Sequence, residues 1–105
     1  MTLEAFTPRP KATVQISATT TSANVAFPTT IGDQVLVSAG ASDVRIEFGK
    51  DSSVVATKVA DGAPFSMQVK AGSSQIFGVP ANTAYVAAVT DAGASLVEFT
   101  PGIGL

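Results

Sequence analysis

Apolar and polar residues alternate along this chain in short runs, and no apolar 3.6-residue period lasts the length of a helix. Asp43 to Phe48 is the clearest run. Val44, Ile46 and Phe48 fall on one side of an extended strand, and Asp43, Arg45 and Glu47 fall on the other. Val14 and Ile16 alternate with Thr13 and Gln15 within Ala12 to Ser17, and Phe65, Met67 and Val69 alternate with Ser66, Gln68 and Lys70. Further short apolar runs cover Ser22 to Phe27, Gln34 to Ser38, Val54 to Val59, Gln75 to Val79, Ala84 to Thr90 and Ser95 to Thr100. Between them stand turn formers: Pro28, Ala39-Gly40-Ala41-Ser42, Gly49-Lys50-Asp51, Asp61-Gly62, Ala71-Gly72-Ser73, Pro80-Ala81-Asn82 and Asp91-Ala92-Gly93.

Strands at a spacing of roughly 8–12 residues predict an all-β, compact β-sandwich of about eight short antiparallel strands. Jelly-roll and immunoglobulin-like sandwiches both fit this spacing. The chain has neither Cys nor Trp, so the Cys and Trp set of an immunoglobulin domain is missing and a jelly-roll-like arrangement is favoured. The ends read differently from the middle. Pro8 and Pro10 flank Arg9, and each proline pushes its predecessor toward extended geometry. Residues 1–11 therefore read as an extended N-terminal arm, 12–100 as the sandwich, and 101–105 as a tail in which Pro101 and two glycines discourage strand pairing.

Composition narrows the range of functions. At 105 residues one domain is the expectation, and the apolar share of 46% is enough for one core. Charged residues make up only 13%, about half the usual share, so charge protects the surface weakly against association. A protein that spends its life against other protein fits this, as does a Ser/Thr-rich extracellular β domain. The six basic residues are scattered apart from the Arg9/Lys11 pair and the net charge is −2. That disfavours nucleic acid and anionic membrane as partners. The N-terminal residues lack the basic start and apolar core of a signal peptide, and no apolar run approaches the ~20 residues of a membrane span. The expectation is synthesis in the cytoplasm.

Without His or Cys, neither an imidazole base nor a thiolate nucleophile is available, nor are the usual nitrogen and sulfur metal ligands. The eight carboxylates are dispersed, mostly in predicted turns or on the polar side of a strand. No enzyme activity, cofactor or metal is expected. One Tyr and no Trp make a poor platform for sugars. What remains are surfaces. Leu3 and Phe6 on the arm, with Pro8, Arg9 and Pro10, are candidates for contact with a neighbour. Arg45 and Glu47 are candidates for an ion-pair stripe, against the alternative of a solvated sheet face with balanced charge.

Three stretches, taken together and in order, also carry a resemblance. They are Thr19 to Phe27 with its Thr-Ser-Ala-Asn-Val, Asp43 to Ser53 with Phe48-Gly49-Lys50-Asp51-Ser52-Ser53, and Val79 to Thr90 with Pro80-Ala81 and Val86-Ala87-Ala88-Val89. With the closing Thr100-Pro101-Gly102, they resemble small phage and prophage virion proteins similar to capsid decoration (cement) proteins. The resemblance implies a place on the capsid surface of the virion, the major capsid protein as partner, and a homo-oligomer such as a dimer or trimer. It supplies no catalytic residues. A head-fibre or tail adaptor, a fibre module and a carbohydrate-binding β-sandwich are the competing expectations.

Overall fold

The computed structural model describes residues 6–28 and 32–104. These contain nine strands: β1 (Phe6–Pro8), β2 (Val14–Ala18), β3 (Ala23–Ala26), β4 (Gln34–Ala39), β5 (Val44–Gly49), β6 (Met67–Val69), β7 (Ser74–Gly78), β8 (Tyr85–Thr90) and β9 (Ser95–Gly104). One sheet runs β2–β9–β4–β7, with β1 on β9 beyond the end of β2, and the other runs β3–β8–β5–β6. All strand pairings are antiparallel. From β2 onward every step except β5 to β6 changes sheet, which is the wiring of an eight-stranded jelly roll. The fold is the expected β-sandwich.

The alternation read from the sequence decides what faces inward. Ile16, Ala18, Val35, Val37, Val97 and Phe99 of one sheet pack on Val44, Ile46, Val69, Val86 and Ala88 of the other, all buried. The Phe48 and Phe77 rings meet edge-on with centroids 6.5 Å apart and close one side of the core. At one end of the sandwich, Gly32 (φ +85°) approaches Gly102 so closely that a β-carbon there would collide with the Gly102 carbonyl.

Two expectations are corrected. The sequence reading stops the last strand at Thr100, yet β9 runs on through Pro101 to Gly104 and takes β1 as a partner: Phe6 opposes Gly104 and Pro8 opposes Gly102. Proline is tolerated because its missing N–H lies on the same edge as its carbonyl, which accepts the Arg9 amide at 2.9 Å. That edge is where β1 ends and the chain leaves the ladder at Pro10 before β2 begins. The arm is thus partly strand. Leu3 lies outside the described residues, as does the Phe6 side chain.

The second correction concerns Val54 to Val59, which forms no strand. Residues 50–66 instead make a strap, with a 3-10 turn at Val59–Asp61, that crosses the outer face of the β3–β8–β5–β6 sheet. Alternation alone could not tell a strand from an extended segment that packs without a ladder, because both bury every second side chain.

Candidate functional site

The two outer faces of the sandwich differ. On the β3–β8–β5–β6 sheet, Ala87 and Val89 point away from the main core, yet both are fully buried because Val54 and Ala56 of the strap cover them. The strap is stitched down along its length. Asn24 donates to the Ser52 carbonyl (2.9 Å), the Ala56 amide donates to Ser22 Oγ (2.9 Å), and Lys58 Nζ donates to the Thr20 carbonyl (2.6 Å). On the return leg Ser66, itself buried, receives the Thr57 amide on its hydroxyl (2.8 Å) and donates that hydroxyl to Glu47 Oε1 (2.8 Å).

Arg45 and Asp91 form the main anchor. Arg45 Nε donates to Asp91 Oδ2 at 2.9 Å, and another guanidinium nitrogen donates to the Ser66 carbonyl at 3.0 Å. The guanidinium also lies 5.4 Å from the centre of the Phe65 ring. The other Asp91 oxygen accepts the Val59 amide at 2.8 Å. That amide, and then Arg45, hold the Asp91 carboxyl below the usual carboxylate value, against the opposing effect of burial. Asp51 is likewise lowered, by the hydroxyl and amide of Ser53, which close a tight turn at the start of the strap. Arg45 and Glu47 therefore lie side by side on β5 as the alternation implied, but the structure puts both to use within the chain. Asp43, the third member of the expected stripe, turns to Lys70 (3.8 Å) and the Ala71 amide (2.7 Å).

The outer face of the β2–β9–β4–β7 sheet has no such cover among the described residues. Register places Thr13, Thr100, Leu36 and Ile76 in one row across it, and Gln15, Glu98, Ser38 and Ser74 in the next. The hydroxyls pair within the sheet, Thr13 with Thr100 at 2.9 Å and Ser38 with Ser74 at 2.8 Å. Leu96 stands 54% exposed, and Ile76 is also exposed. Two open hollows flank Leu96. One, of about 300 Å³, is lined by Ala18, Ala41 and Ala94. The other, of about 210 Å³, is lined by Gln15, Ser38 and Glu98. Glu98 is the one charged side chain on these strands' outward positions, and it has no hydrogen-bond or ion-pair partner among the described residues.

Of the arm candidates, Pro8 and Pro10 are exposed, and Arg9 is half-buried beside β9 with its Nε enclosed and unpartnered. These residues lie at the edge of the uncovered sheet, while Arg45 and Glu47 are bonded to the strap on the opposite face, Glu47 remaining exposed. The structure thus does not bring the two groups together. Leu96, Glu98 and Leu36 were not singled out from the sequence as surface candidates. Leu96 and Glu98 do carry a signal, since they alternate with the buried Val97 and Phe99, but alternation gives no sign of which sheet stays uncovered.

Another open hollow, of about 380 Å³, lies between the strap and the β2–β3 turn, with Thr20, Val55, Lys58 and Asp61 on its walls. Its polar groups bond to one another's backbone rather than converging on a point in space. Among the described residues no three of His, Cys, Asp or Glu come together. Compared with known proteins, the chain matches no family model, no curated protein and no solved structure.

Proposed function

We propose that this chain is a structural protein of a bacteriophage particle that decorates and cements the capsid by bridging neighbouring copies of the major capsid protein. The observation that carries the reading is the outer face of the β2–β9–β4–β7 sheet, which no described segment covers, low in charge and with Leu96 and Ile76 exposed. Monomeric proteins usually dilute such surfaces with charge. The sequence motifs that resemble those of small virion proteins point the same way. The jelly-roll wiring is compatible with it but is found with many functions.

In this reading each molecule makes several modest contacts with the shell. One contact raises the effective concentration of the next, and binding the assembled shell in preference to free subunits stabilises the assembly by linkage. A dimer or trimer at a symmetry axis would multiply that effect. Quantitative mass spectrometry of purified virions tests it. Copy numbers on the scale of the shell subunits are expected, and a handful per particle would place the chain in a fibre or tail adaptor instead.

A further inference from the structure

Resting on the capsid reading, we infer that the β2–β9–β4–β7 face docks on a shell surface that presents a cationic side chain, Arg or Lys, next to an aliphatic one. Both features of that partner follow from the relief around Leu96. The hollow walled by Ala18, Ala41 and Ala94, with Ser17, Thr19 and Ser95 also on its walls, is mainly apolar and open, so an aliphatic side chain entering it beside Leu96 loses water and gains close contact. The adjoining hollow holds the Glu98 carboxylate together with the Gln15 amide and the Ser38 hydroxyl. Docking strips water from Glu98, and an opposing cation with hydrogen-bond donors compensates for that more fully than a neutral donor, because it supplies charge as well as the hydrogen bond. The Ser38 hydroxyl is engaged with Ser74, which leaves Glu98 as the group in that hollow that most needs a partner.

A second copy of this chain is a poorer fit for the same face. An isologous contact centred there would set Glu98 against Glu98, two like charges in a drying interface. Four strands at the usual spacing and about five residues of length make a footprint of roughly 300 Å², whereas a stable standard interface removes about 800 Å² per partner. A contact of this size holds weakly alone. It holds well when repeated over a lattice, which is the situation on a shell.

The test is co-sedimentation of the full-length chain with purified shells that lack it, together with sedimentation velocity of the chain alone. Glu98→Lys is expected to weaken shell binding about tenfold or more, Glu98→Gln to weaken it less and to flatten its salt dependence, and Leu96→Asp to abolish it. Lys50→Glu, a change of charge of equal size and opposite sign on the strap side, is expected to leave binding intact. Unchanged circular dichroism and thermal midpoints certify that each variant is folded. Wild-type binding that Glu98→Lys and Leu96→Asp leave untouched overturns this inference and leaves the capsid reading standing. A wild-type chain that binds no shell overturns both. Self-association that Leu96→Asp abolishes makes a second copy the occupant and also overturns the inference.

Discussion

Two sheets of nearly equal size enclose one core, yet their outer faces are finished in opposite ways. The β3–β8–β5–β6 face carries Arg45, Glu47, Ala87 and Val89, and the chain spends residues 50–66 covering it. The β2–β9–β4–β7 face carries Ser, Thr and Gln with Leu36, Ile76, Leu96 and one carboxylate, and no described segment covers it. The first face behaves as a second, smaller core with its own polar fastening. The second satisfies its hydroxyls laterally and leaves its apolar groups to solvent. A long loop without strands of its own is uncommon in a domain this small, and here its role is structural. The lesson is that the most heavily bonded polar cluster in the molecule, around Arg45 and Asp91, is a fastening, while the plainer face keeps its outward side chains open to solvent.

The sharpest way to break this comparison is to place the same charge on each face. Val89→Asp buries an unpaired carboxylate under the strap and should cost about 3–5 kcal/mol, enough to unfold a domain at the low end of ordinary stability. Leu96→Asp, on the open face, should stay within about 0.5 kcal/mol. Urea denaturation of both variants measures the difference, and equal losses would show that the two faces are alike.

A smaller effect is expected from the anchor. Arg45→Ala leaves the Asp91 carboxylate and the Ser66 carbonyl without their donor. It should lower stability by about 1–2 kcal/mol, the lower part of the usual range for charged hydrogen bonds because Asp91 is partly open to water. Amide exchange should quicken in residues 50–66 before it quickens in β9.

The smallest effect is acid sensitivity. The folded Asp91 carboxyl lies below its ordinary value, so between the folded and unfolded values the unfolded chain binds more protons. The stability this group contributes is therefore present above the usual carboxylate range and is lost as pH falls through it. Asp51 is shifted in the same direction and adds to the slope. Urea midpoints measured between about pH 6 and pH 3 should fall less steeply in Asp91→Asn than in the wild type, and parallel curves would mean that the strap is not fastened through Asp91.

The sequence by itself determined the all-β class, most strand positions and the inward rows. Period-two alternation, as in Val44, Ile46 and Phe48, forces one side of each strand into the core whatever the topology. The absence of His and Cys was equally legible, since it needs no coordinates. The tertiary structure alone decided which outer face is covered. Val54 to Val59 alternates like a strand, and only the position of β8 beneath it shows that Ala56 meets Ala87 and Val89 rather than a ladder partner. It also decided that Pro101 could sit inside β9, because the gap between β1 and β2 falls opposite its missing N–H. Both outcomes depend on contacts between residues far apart in the chain, and a local pattern holds no record of what lies across from it.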